Sequence, residues 1–189
     1  MRQDQADAAI SPPSTIDDDL ELRSRAYDHP DATLLICEAQ EFYVALYGGP
    51  DETPFSPEEF APPVGRFLVG YWAGEPVATG GWRFSDAGVP AVAERPAEIK
   101  RMFVRQSARH RGFARRMLAA LEADAAGAGA DWMILQTAHP QVAAVALYRS
   151  SGYTEIESFG YYAESDDVLN LGRPLSRSIT QGRFEEPDG

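Results

Sequence analysis

Residues 109–115 read Arg-His-Arg-Gly-Phe-Ala-Arg, an Arg-x-x-Gly-x-Ala pattern running from Arg109 to Ala114. Glycine and alanine at those spacings let a ligand come close to the backbone. Beyond the glycine, Phe113, Met117, Leu118 and Leu121 recur at helical spacing, which predicts an amphipathic helix beginning at about Gly112. A turn that opens a helix presents several unpaired N–H donors at the positive end of the helix dipole, and a phosphate or pyrophosphate needs both. The charge pattern agrees: Lys100, Arg101, Arg105, Arg109, Arg111, Arg115 and Arg116 fall within residues 100–116, with no acidic residue among them. A polyanionic ligand would dock there. The turn alone also fits an ordinary loop with solvated arginines.

The turn needs elements to hold it. Residues 97–104 alternate with a period of two and predict a strand, with Ile99, Arg101 and Phe103 on one face and Glu98, Lys100, Met102 and Val104 on the other. A helix over residues 112–126, a Gly- and Ala-rich turn and a strand over 132–137 then make a right-handed crossover with parallel neighbours. A second helix over 141–150, ended by Gly152, precedes strands at 153–159 and 168–172. Upstream, a strand at 20–25 leads to a helix capped by Asp31 and carrying Leu34, Leu35, Ala39, Phe42 and Leu46, which ends at Gly48-Gly49. After a loop over 50–63, strands at 67–73 and 76–84 form a hairpin around Gly74-Glu75. The expected fold is α/β with a mixed sheet, antiparallel in its N-terminal half and built on a parallel βαβ core. Residues 19–175 form its one domain, with an acidic, disordered tail at 1–18 and a second tail at 176–189.

Three segments, EIKRMFV, RHRGFA and ALYRSSGY, follow one another in the order seen in the GNAT superfamily of acyl-CoA N-acyltransferases. The chain resembles that superfamily from roughly residue 20 to 175, most strongly over 94–153. The resemblance implies acetyl-CoA as co-substrate, its pyrophosphate on the backbone of Arg109, His110, Arg111, Gly112, Phe113, Ala114 and Arg115. It implies a bulge in the central strand that frees backbone N–H groups of Met102, Phe103 and Val104 for the thioester carbonyl and the pantetheine arm. It nominates Glu98 as a general base that draws a proton from the amine, often through water, and Tyr148 as the group that protonates the departing thiolate. Glu98 fits equally a strand-end carboxylate paired to an arginine such as Arg101, and Tyr148 fits a packed aromatic with a wet tip. The family's asparagine seven residues before the tyrosine is Gln141 here, which keeps the amide for a pantetheine contact on a longer arm.

Composition narrows the partners. The formal net charge of −12 disfavours nucleic acid and anionic membranes. It is uneven, with 14 acidic residues and 3 arginines in residues 1–63 (−11) against 15 acidic and 14 basic residues in 64–189 (−1). Neither an apolar run near 18 residues nor a basic-then-apolar start is present, so the protein reads as cytoplasmic. The single Cys37, in the apolar run LLICEA, is expected to be buried, and His29, His110 and His139 have no metal-ligand spacing, so no metal is expected. Trp72, Trp82, Phe159, Tyr161 and Tyr162 are candidates for an acceptor wall, and acids from the 50–59 loop for attracting a cationic amine. The acceptor reads as a primary amine of a small molecule or amino acid, attacked directly in a ternary complex. Protein amino termini or lysines are the minority option, a non-catalytic CoA-binding sensor or scaffold is the competing class, and a homodimer is left open.

Overall fold

The computed structural model describes residues 20–176. The two expected tails, 1–18 and 176–189, lie outside the described residues apart from Ser176. Seven strands form one mixed sheet: β1 (Glu21–Ser24), β2 (Gly65–Trp72), β3 (Glu75–Phe84), β4 (Pro96–Val104), β5 (Trp132–Ala138), β6 (Thr154–Glu155) and β7 (Val168–Pro174). Their order is β1-β2-β3-β4-β5-β7-β6, and every neighbouring pair is antiparallel except β4–β5. That parallel pair is joined by α2 (Phe113–Gly127), while α1 (Pro30–Tyr47) and α3 (Val142–Ser150) complete the flanking layers. The class is mixed α/β, as the alternation of patterns predicts.

Each helix buries the face that its spacing dictates. In α2, Phe113, Met117, Leu118, Leu121 and Ala125 are each at most 2% exposed, which sets the helix against the sheet. Gly80 of β3 makes that approach possible, because a Cβ there would meet Leu121 Cδ1 at 3.0 Å and Met117 Cγ at 3.3 Å. Asp124 fixes the outer end of the packing, accepting from Trp82 Nε1 at 2.6 Å and Arg66 Nε at 2.9 Å. On the opposite face, Ala32 and Leu35 of α1 pack with Phe60, Phe67, Val69 and Tyr71. The sheet is thus a septum between two apolar clusters.

Local chemistry corrects several expectations. The cap of α1 is His29, whose Nδ1 accepts from Asp31 N at 3.2 Å; Asp31 lies in the first turn and accepts from the Tyr71 hydroxyl at 2.6 Å. Cys37 is exposed rather than buried, because its helical angle points it away from Leu35 and Ala39. The β2–β3 turn is Ala73-Gly74, both left-handed, one residue earlier than expected. The strand expected over 153–159 shrinks to Thr154–Glu155, and the rest of that stretch becomes a loop over the C-terminal end of the sheet.

The strict alternation breaks in β4, where the resemblance implies a bulge. Gly81 pairs with Lys100 and Thr79 with Phe103, so Arg101 and Met102 together oppose Gly80, and Arg101 is left-handed with φ of 57°. This is a β-bulge, and it shifts the side-chain phase by one residue. Met102 and Val104 therefore join Ile99 on the α2 face, and Phe103 turns to the α1 face, against the strict alternation read from the sequence.

Candidate active site

Past the bulge the sheet opens. Pairing of β4 with β5 runs only from Pro96–Trp132 to Ile99–Leu135; beyond that point residues 100–104 have no partner on β5, while β5 continues along β7. The β4 edge facing this gap carries backbone groups outside the sheet ladder, which makes it a place where a ligand can bond to the chain.

Two cavities use the gap. The larger, about 830 Å³, runs from the α2 turn to the gap and is lined by His110, Gly112, Phe113, Ala114, Arg115, Phe103 and Val104 among others. The smaller, about 330 Å³, lies beside Lys100, Arg101, Gln136, Thr137, Asp51 and Tyr162. Tyr43, Met102, Gln141 and Tyr148 line both. The junction therefore falls at the bulge.

The turn at the far end of the larger cavity has the form an anion needs. His110 and Gly112 are both left-handed, with φ of 64° and 79°, which curls the backbone within three residues. Gly112 caps α2 with no side-chain bond, and the first turn contains no acidic residue. The ladder begins with Arg116 N bonding Gly112 O at 3.1 Å, so the N–H groups of Phe113, Ala114 and Arg115 precede it. A Cβ at Gly112 would meet nothing within 4 Å. That open space beside a set of N–H donors fits a pyrophosphate. Arg115 reaches across to Ser150 Oγ at 2.8 Å and Ser151 Oγ at 3.2 Å, Arg109 donates to Val104 O at 3.1 Å, and the Arg111 guanidinium lies 4.1 Å from the centre of the Trp72 ring.

At the junction, the Tyr148 hydroxyl is 3.6 Å from Met102 Sδ, and the residue is only 7% exposed. Burial, reinforced by nearby Tyr43, pushes its hydroxyl far above the ordinary phenol range, so it keeps its proton at any working pH. Burial, followed by the charge of Asp51, likewise pushes the Tyr43 hydroxyl up to about 12. Gln141, at the start of α3, lines both cavities.

Glu98 stands apart from this junction. Its Oε1 lies 2.8 Å from Lys100 Nζ and its Oε2 lies 3.2 Å from Arg83 Nη2, while Arg83 also holds Glu59 at 2.7 Å. The partners are Arg83 and Lys100, not Arg101. Glu98 is 5% exposed and lines neither cavity. Arg101 instead binds Asp51 at 2.6 Å. Asp51 Oδ1 also accepts from Thr53 N, Thr53 Oγ1 and the Tyr162 hydroxyl, at 3.0, 2.7 and 3.2 Å. Burial raises the Asp51 carboxyl, but Arg101 and the two bonds from Thr53 outweigh it and hold the group below its ordinary value.

Of the expected aromatic wall, only Tyr162 lines the smaller cavity. Trp82 and Phe159 are buried, Tyr161 is exposed, and Trp72 packs on Phe113. Tyr43 and Tyr47, missed in the sequence, supply the wall from α1; their spacing of four in FYVALY puts them on one helical face.

Comparison with known proteins agrees with this geometry. Residues 32–153 match the model of the acetyltransferase (GNAT) family. An IAA acetyltransferase of Azospirillum brasilense is 31% identical over 146 residues, covering 77% of this chain and 92% of its own. Among solved structures, an acyl-CoA N-acyltransferase from Klebsiella pneumoniae superposes with a TM-score of 0.69 at 24% identity, covering 84% of this chain and 99% of that one. The IAA acetyltransferase from Bacillus cereus does so at 0.58 and 17% identity, over 83% and 100%. With a family model covering well over half its length, a parallel crossover opening on an uncapped helix, and a sheet parted beside it, this chain is a GNAT-family acetyltransferase.

Proposed function

We propose that the enzyme transfers the acetyl group of acetyl-CoA to a primary amine of a small molecule or amino acid, by direct attack while both are bound. The observation that carries this reading is the meeting of two cavities at Tyr148, Met102, Gln141 and Tyr43. The larger cavity ends in the anion cradle and takes the CoA; the smaller one takes the amine. Holding the nucleophile and the thioester together removes the entropy cost of a bimolecular encounter.

In this reading the β4 edge at Met102, Phe103 and Val104 offers backbone N–H groups to the thioester carbonyl, and Tyr148 offers its O–H to sulfur. The raised phenol pKa keeps the Tyr148 O–H in place to donate a hydrogen bond to the departing thiolate, and the proton that ends on sulfur is the one lost by the attacking nitrogen. A covalent relay through Cys37 is not supported, since that residue is exposed on α1 and lines neither cavity.

Glu98 enters as a positioning residue. Both carboxylate oxygens are engaged by cations, and accepting a proton from the amine would require giving one up. Its pair with Lys100 fixes that side chain at the wall of the smaller cavity. Asp51 is likewise spent on Arg101, Thr53 and Tyr162, so the amine attacks from its neutral fraction and the rate rises with pH toward the amine's own pKa.

Release of free thiol from acetyl-CoA with a panel of primary amines tests the proposal. Amine-dependent release supports it. Binding of CoA by calorimetry with no release on any amine would favour a CoA-binding sensor.

A further inference from the structure

The two mouths of the enzyme carry opposite fields. The turn side holds five of the seven basic residues of 100–116, Arg105, Arg109, Arg111, Arg115 and Arg116, whereas the two loops that wall the smaller cavity carry acidic residues and no basic one. Residues 50–59 contribute Asp51, Glu52, Glu58 and Glu59, and residues 155–167 contribute Glu155, Glu157, Glu164, Asp166 and Asp167; neither segment contains a lysine or arginine. Such a field concentrates cations at the opening and repels anions.

Inside, the charges are already matched. The two cations that line the smaller cavity are Lys100, paired with Glu98 at 2.8 Å, and Arg101, paired with Asp51 at 2.6 Å. A substrate carboxylate would have to compete with an internal carboxylate for either one. The lining carboxylate that makes no ion pair with any described residue is Asp167, at the exposed end beside β7, its backbone held by His139 N donating to Asp167 O at 3.0 Å. Tyr43, Tyr47 and Tyr162 line the same cavity, and a tyrosine ring attracts a cation without dehydrating it fully.

Resting on the acetyl-transfer reading, we propose that the acceptor is a diamine or polyamine rather than an aminocarboxylate, its distal ammonium held by Asp167 and the tyrosine faces at the mouth of the smaller cavity. The near nitrogen, neutral, bonds to the acetyl carbon as the C–S bond breaks. The proton it loses ends on sulfur, giving the N-acetyl diamine and free CoA thiol.

The test uses the full chain and three acceptors that differ only in their far end: a four-carbon diamine, the four-carbon monoamine and the four-carbon ω-amino acid. With acetyl-CoA saturating, kcat/KM should fall in that order, the diamine leading the monoamine by about tenfold, the combined effect of one exposed charge contact and one cation–π contact. High salt should shrink that lead, and Asp167→Asn should narrow it several-fold. A monoamine or amino acid used as well as the diamine would overturn the proposal while leaving acetyl transfer intact, as would an Asp167→Asn enzyme with an unchanged ratio. Absence of turnover on all three would overturn the proposal, and the underlying reading falls with it when no amine of the wider panel releases thiol although CoA binds.

Discussion

Replacing Gly112 by leucine separates the strain of a left-handed residue from the loss of a ligand's approach. The residue sits at φ of 79° with nothing within 4 Å of a Cβ, so the fold accepts a side chain without a clash and bears only the conformational cost. That cost is roughly 1–2 kcal/mol, or about 2–8 °C in Tm for a domain of this size. The same space is where the anion would lie against the N–H groups of Phe113, Ala114 and Arg115. Losing one charge-assisted bond of about 1.5–3 kcal/mol weakens CoA roughly 10- to 100-fold. Gly152→Leu is the matched control, since Gly152 has φ of 87°, equally open surroundings and a place outside both cavities. Calorimetric titration with CoA, beside thermal melts, reads both quantities. Both variants should lose similar stability and only the Gly112 variant should lose affinity; equal CoA affinities in the two would refute the cradle.

Tyr148→Phe keeps the ring but removes the hydroxyl at the junction, so the acetyl-CoA Kd should stay nearly constant while kcat falls about a hundredfold; an unchanged single-turnover rate would return Tyr148 to packing alone. For Glu98→Gln, a positioning role predicts a loss of kcat/KM whose size is the same at every pH, because Lys100 is released regardless of the amine's protonation. A loss that is large near neutrality and fades toward the amine's pKa, about 10 for an alkylamine, would make Glu98 the base. Asp51 has a folded-state pKa below its unfolded value, so the unfolded chain takes up protons first as pH falls. Its stabilisation is complete above the unfolded pKa and is lost as pH drops through the folded one. Asp51→Asn should therefore flatten the decline in urea midpoint between about pH 5 and pH 2, and an unaltered decline would deny the carboxylate that role.

Much of this was legible in the chain because the relevant signals are local. The α2 face from Phe113 to Leu121, the left-handed Gly48 that stops α1 and the basic turn at 109–115 all follow from spacing and backbone sterics. What escaped depends on tertiary pairing. The alternation of 97–104 looks unbroken, so the bulge is implied by the resemblance alone, and its place at Arg101 and Met102 becomes visible only against Gly80 across the strand. Glu98 had several arginines to choose from, and which one it found depends on the register of β3, fifteen residues upstream at Arg83. Tyr43 and Tyr47 looked like ordinary residues of an amphipathic helix, since sequence does not show that the sheet opens beneath them. The expected strand over 153–159 stops at Glu155, and the chain beyond it runs as a loop tied down by Tyr162, which bonds to Asp51 and accepts from Glu52 N at 2.9 Å.

The central claim is that donor and acceptor occupy the two cavities at once and react where these meet. Initial velocities measured over a grid of acetyl-CoA and amine concentrations test it most directly, with mass spectrometry of the enzyme incubated with acetyl-CoA alone. The geometry predicts double-reciprocal lines that intersect and a protein that carries no acetyl group. Parallel lines, together with an acetylated residue that transfers its group to the amine, would contradict it.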